Sequence, residues 1–159
     1  MKKKGSIFDM FFIALFVLFM AICFVIAFMI MSKVNTQIQA GSGFSDAGKE
    51  IVSTSTTRMV SSLDWVFFTA FIGLYLTSLV LAFQIDSNPI FFPISLILFI
   101  VLVLVSAVLG NVFYDFASSS DIAPYSSQFP VMSFIMTNFV KIILVMGFGL
   151  GWVMWGKSR

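Results

Sequence analysis

The stretch FDMFFIALFVLFMAICFVIAFMIM, residues 8–31, decides the fold class of this chain. It is apolar throughout apart from Asp9 near its start. An α-helix needs about 20 apolar residues to cross the hydrocarbon core of a bilayer. The run is continuous and does not alternate with period two, which favours a helix over a β-barrel strand. It therefore predicts a first transmembrane helix.

Three more apolar runs of similar length follow. The four predicted spans cover residues 8–32, 65–84, 90–112 and 130–155. With 60% hydrophobic and 10% charged residues and a mean hydropathy of +1.06, a soluble domain of 159 residues could not bury its apolar surface. Because lipid offers no hydrogen-bond partners to the backbone, the spans are expected to be helices. The sequence predicts one all-α integral membrane domain, residues 1–159, with four transmembrane helices.

Basic residues at the ends of the spans predict the orientation. Five lie on the side of the two termini, and the connection 84–89 on that side has none: Lys2, Lys3, Lys4, Lys157 and Arg159. Three lie on the opposite side: Lys33, Lys49 and Arg58. The positive-inside rule then places both termini in the cytoplasm. The first apolar run exceeds the 7–15 residues of a signal-peptide core, so we expect an uncleaved anchor.

Residues 33–64 form a helical extension between spans one and two. Gly41 and Gly43 mark a break, and Ser45 or Asp46 offers an N-cap for a helix that runs without interruption into the second span. An apolar stripe of Val52, Met59 and Leu63 is expected on one face of this helix, with the small Ser55 between them and Ile51 beside them. The Ser/Thr-rich polar face favours a hairpin that lies on lipid, and leaves open one that docks onto a protein layer.

The short connection between spans two and three is predicted to be a turn. Asn88 precedes Pro89, which is tolerated in the first turn of a helix, and Asp86 is favoured there by the helix dipole. Capping explains each of these residues, so a binding or catalytic site is not needed to account for them.

Lys141 is the one cation well inside a predicted span. Counting about 1.5 Å per residue along a straight fourth helix puts its Cα roughly 9 Å below the outer membrane interface. Such a charge calls for a partner, and Asp115 and Asp64 are the acids within reach. The alternatives are an intramembrane ion pair or a side chain that reaches up to the headgroups. Both are favoured over a proton or ion relay.

Small residues in the spans predict helix packing. Gly147 and Gly151 form a GxxxG pair, a pattern that lets helices approach closely. Cys23 has no partner cysteine and is interpreted as a small packing residue.

The residue content argues against several classes of function. There is no histidine, no Cys/His cluster, no Ser/His/Asp set and no phosphate-binding glycine loop. No catalytic, cofactor-binding or metal-binding residue is therefore predicted, and no cofactor is expected. The small net charge of +2 without a basic stripe argues against direct binding of nucleic acid.

Four segments carry a resemblance to a family: GSIFDMFFIALFVLFMAI, IDSNPIFFPIS, GNVFYDFA and QFPVMSFIMTNFVKII, at residues 5–22, 85–95, 110–117 and 128–143. The chain resembles small four-span proteins of tailless, membrane-containing viruses and of related integrated elements. The resemblance implies a structural or assembly role in a virion internal membrane beneath a protein shell, and implies no catalytic residues.

The expected function is that of a non-enzymatic membrane structural or assembly protein that presents helical loops to a protein layer. Its expected partners are the lipid bilayer and other membrane or capsid-type proteins, or copies of itself. The alternatives are a small permeability protein of the holin type and an accessory subunit of a larger membrane complex.

Overall fold

The computed structural model describes residues 7–84 and 91–157, and every element within these ranges is a helix. There are four long or medium helices and two short ones between the third and the last. They are α1 (Ile7–Ala40), α2 (Asp46–Gln84), α3 (Phe91–Ser118), α4 (Ala123–Ser126), α5 (Pro130–Thr137) and α6 (Phe139–Lys157). The all-α prediction is confirmed for the described residues.

Helices α1 and α2 form the predicted hairpin. The Ser45 hydroxyl accepts a hydrogen bond from the Gly48 amide at 3.3 Å, so Ser45, and not Asp46, is the N-cap of α2. The Gln39 side chain donates to the carbonyl of Lys49 at 2.8 Å and ties the end of α1 to the start of α2. From this cap α2 runs unbroken to Gln84, as the sequence predicts.

The buried face of the first half of α2 differs from the predicted stripe. Thr56 and Asp64 are buried, and Val60 and Leu63 pack against the core. Ile51, expected beside the stripe, is 67% exposed, and Ser55, expected within it, is exposed as well. These two polar side chains can be buried because each has a hydrogen-bond partner. Thr56 donates to a carbonyl of its own helix, and Asp64 accepts from an amide of α5.

Three helices in the described part of the chain are long and apolar enough to cross a membrane: α1, α2 and α3. Helices α5 and α6 taken together give a fourth candidate, and these two helices are bent by 72° at Asn138. The single straight helix predicted for residues 130–155 is therefore wrong.

The break between α5 and α6 has a local cause. The Asn138 side chain donates to the Phe134 carbonyl at 3.0 Å, the same carbonyl that accepts from the Asn138 backbone amide at 3.1 Å. Asparagine favours helix ends because its side chain competes for backbone partners in this way. Asn138 thus closes α5, and its carbonyl accepts from Ile142 at 3.0 Å to start α6.

The turn predicted at Asp86, Asn88 and Pro89 lies outside the described residues. Helix α2 ends at Gln84 before it, and α3 begins at Phe91 after it.

Glycines allow α6 to approach its neighbours. The Phe99 ring of α3 occupies the space that a side chain at Gly147 would need, and the Tyr75 hydroxyl of α2 lies 2.6 Å from the Cβ position of Gly149. Around Gly151 that space is open, with no atom within 4 Å. At Gly147 α6 therefore lies in close contact with α3, whereas no described atom comes within 4 Å of the Cβ position of Gly151.

Replacing Gly147 by leucine should lower the unfolding temperature of the purified protein, because the Phe99 ring must move. Overfilling a packed contact costs about 1–3 kcal/mol. Gly151→Leu is the matched control and should leave the unfolding temperature unchanged. Thermal unfolding in one detergent measures both variants. Equal effects of the two substitutions would contradict this packing arrangement.

Candidate functional site

A buried carboxylate joins α2 to α5. Asp64 is 4% exposed. Its Oδ2 accepts from the Val131 amide at 3.0 Å, and its Oδ1 accepts from the Met132 amide at 2.8 Å. Both oxygens are thus held by the first turn of a helix that begins 66 residues later in the chain, at Pro130.

The start of α5 explains why a distant carboxylate is used. The first amides of any helix lack partners within the helix and need acceptors from elsewhere. The N-cap residue of α5 is Phe129, which has no side-chain acceptor, and Pro130 contributes no N–H. Asp64 supplies the missing acceptor, and its negative charge is favoured at the positive end of the helix dipole.

An aromatic cluster lies beside this contact. The Phe28 ring of α1 packs edge-on against Phe129 at a centroid distance of 5.5 Å and against Tyr125 at 6.2 Å. Phe129 is fully buried. Next to it, the Ser126 hydroxyl donates to the Ala117 carbonyl at 2.8 Å and holds α4 against the end of α3. These contacts fix the segment that leads into α5.

A groove of about 470 Å³ runs along α2 beside the carboxylate. Its walls combine hydroxyl-bearing and apolar side chains: Phe28, Thr56, Thr57, Val60, Ser61, Asp64, Trp65, Gln128, Pro130 and Val131. Thr56 and Thr57 donate to carbonyls of their own helix at 2.8 and 3.0 Å. The hydroxyls of both threonines are therefore engaged within α2, and the Asp64 carboxylate is engaged by α5.

The predicted ion pair of Lys141 with Asp64 or Asp115 is not formed by the described side chains. The Lys141 ammonium is exposed and donates to the Asn138 side chain at 3.1 Å. Both oxygens of Asp64 are engaged by amides of α5, and Asp115 is exposed on α3. The break at Asn138 places Lys141 in the first turn of α6, where its ammonium bonds to the Asn138 side chain and to neither carboxylate.

Two further sequence-based expectations concern side chains that bind metals or pack. Within the described part of the chain, no group of three or more His, Cys, Asp or Glu residues could hold a metal ion. Cys23 is an exposed free thiol, so its interpretation as a packing residue was wrong.

Sequence reasoning missed the role of Asp64 as a cap. The signal was present in part: Pro130 marks a helix start, and the residue before it has no oxygen in its side chain to cap that start. Such an uncapped start requires an acceptor from another element. Nothing local identifies Asp64 as that acceptor, because it lies far away in the chain.

The chain matches no protein-family model, no curated protein sequence and no solved structure.

Asp64→Ala should destabilise the protein by about 1–3 kcal/mol, since it leaves two amides of α5 without an acceptor in a buried place. Asp64→Asn should cost less, because its amide keeps one acceptor oxygen. Asp115→Ala is the control, since that carboxylate is exposed. Thermal unfolding in detergent ranks the three variants. An Asp64→Ala protein as stable as the control would show that the cap contributes nothing.

Proposed function

We propose that this chain is a non-enzymatic membrane structural or assembly protein that presents its α1–α2 hairpin to a protein layer. The observation that carries the proposal is the length of this hairpin. Helix α2 has 39 residues and is about 58 Å long at 1.5 Å per residue, roughly twice the thickness of the hydrocarbon core. A hairpin of this length reaches well beyond a bilayer.

The projecting part of α2 has the character of a contact surface. Most of its exposed side chains are small or polar, including Thr54, Ser55, Thr57, Ser61 and Ser62. Ser53 and Thr57 direct their hydroxyls to carbonyls of their own helix at 3.1 and 3.0 Å. Such short side chains leave few bulky groups on this part of α2, so another protein can pack closely against it.

The hairpin is also held firmly enough to transmit a contact to the membrane. Asp64 joins α2 to α5, and Phe28 joins α1 to the segment before α5. A force on the hairpin is therefore distributed over several helices and does not act on one helix alone. This arrangement supports a role as a link between lipid and a protein layer.

In the proposed setting both termini lie on the inner side of the membrane and the hairpin lies on the outer side. The excess of basic residues near the termini supports this orientation. The more specific setting, the internal membrane of a virus-type particle beneath its shell, rests on the sequence resemblance alone.

A photo-crosslinking side chain placed at Ser61 tests the proposal in native material. Ser61 is exposed and lies along the groove. We expect a covalent adduct with a protein that is not itself membrane-embedded and that co-purifies in comparable copy number. The same side chain at Phe148, which is 74% exposed on α6, is the control and should give no such protein adduct.

Two results would contradict the proposal. Adducts only with integral membrane enzymes would favour an accessory subunit of a larger complex. Collapse of the membrane potential on expression of this chain alone would favour a permeability protein of the holin type.

A further inference from the structure

Helix α2 changes its exposed surface abruptly at Trp65. Before it, the exposed side chains are mostly Ser, Thr or charged. From Trp65 onward, exposed large apolar residues recur on the outer face: Trp65, Val66, Ile72, Leu76 and Val80. The stretch from Trp65 to Gln84 is about 30 Å long, which is the thickness of the hydrocarbon core. Helix α2 therefore meets the outer edge of the lipid at Trp65.

The packing of α6 against α2 puts the break between α5 and α6 at the level of Trp65. The Tyr75 hydroxyl lies against Gly149, and both helices run in the same direction from the hairpin side. Counting back equally from this contact puts Trp65 level with Phe139, the first residue of α6. Helix α6 has 19 residues and is about 28 Å long, so it can cross the hydrocarbon core without α5.

Helix α3 agrees with this level. The Cβ position of Gly110 lies 3.4 Å from the Met136 carbonyl and 3.8 Å from Phe139, so the break faces Gly110. Tyr114 follows one turn later and is 60% exposed, where interfacial aromatics are common. Lys141, in the first turn of α6, then lies near the headgroups.

The exposed side chains of helix α1 change in size at the same level, although its sequence stays apolar across it. Large exposed apolar residues end at Phe19 and reappear only at Ile30. Between them Val25 and Phe28 are 0% and 7% exposed, because α2 and the segment before α5 cover them. Cys23 and Ala27 in this stretch are exposed, so protein covers one face of the upper part of the apolar run, and the opposite face carries small side chains.

We infer that the outer edge of the bilayer crosses the molecule at the α5–α6 break, level with Trp65. Beyond this plane, residues 24–64 and 115–129 form a helical head in water. Helix α5 lies along the headgroup layer, turned 72° away from α6, with Phe134 exposed toward lipid. Trp65, Tyr114 and Lys141 form the contact of the molecule with the polar headgroups.

This assignment differs from the hydropathy of the chain at two places. Hydropathy puts Ala27 in the first span and Thr137 in the fourth, whereas the head places both in or above the headgroups. The inference requires only that the helices cross a bilayer. It does not depend on the proposed structural role, and its test needs no partner protein.

Two pairs of single-cysteine variants in a Cys23→Ser background test the boundary. Ala27→Cys is compared with Phe16→Cys, and Thr137→Cys with Phe148→Cys. All four positions are exposed, and each pair is eleven residues, about three helical turns, apart. A charged maleimide is added to both sides of the purified protein in phosphatidylcholine vesicles, so the result does not depend on orientation.

Because thiols react as thiolates, which require water, Ala27→Cys and Thr137→Cys should be labelled at least about tenfold faster than their partners. All four should react at similar rates after denaturation in detergent. If Ala27→Cys and Phe16→Cys are labelled at the same rate in vesicles, the boundary is wrong. The Thr137/Phe148 pair gives an independent answer should one variant of the first pair fail to fold.

Discussion

The contact on which the architecture depends is the Asp64 carboxylate at the start of α5. A carboxylate that is 4% exposed must have its oxygens engaged, and amides at a helix start must have acceptors. Each group meets the need of the other at 3.0 and 2.8 Å. If α5 continued straight from α6, its first amides would leave the carboxylate, and both sides would be buried without partners. The bend at Asn138 and the burial of Asp64 therefore require each other.

The opposite end of α6 is held by close approach and not by polar contacts. Phe99 fills the space above Gly147, and Tyr75 reaches Gly149. Between lipid-facing helices there is no gain from removing apolar surface from water, so close packing across small residues becomes the main source of stability. The two glycine contacts also fix the height of α6 relative to α2 and α3. This height is what places the break, Trp65 and Gly110 in one plane.

The sequence predicts those parts of the fold that local patterns determine. The cap at Ser45, the unbroken α2 and the long apolar helices follow from residue types at fixed spacing. The break at Asn138 could not be predicted in this way, because the mean hydropathy of residues 130–155 is the same whether the helix axis is straight or bent. The depth predicted for Lys141 assumed a straight helix over these residues, which the structure does not have. The GxxxG spacing does not specify which face of a helix meets a neighbour, and only Gly147 of the pair has a described side chain against it.

Helix α1 shows why apolar sequence and lipid contact are different quantities. Both parts of the helix bury one face, but the lower part exposes the large side chains of Phe12 and Phe16, whereas the residues exposed between Phe19 and Ile30 are the smaller Cys23 and Ala27. An apolar run covered by protein in water has the same hydropathy as one covered by acyl chains. The stabilising forces differ, because removal of Phe28 from water contributes to the head, whereas in lipid only packing and hydrogen bonds remain. One continuous helix thus lies partly in lipid and partly in water. The exposed side chains of the neighbouring helices show where the lipid ends and the water begins.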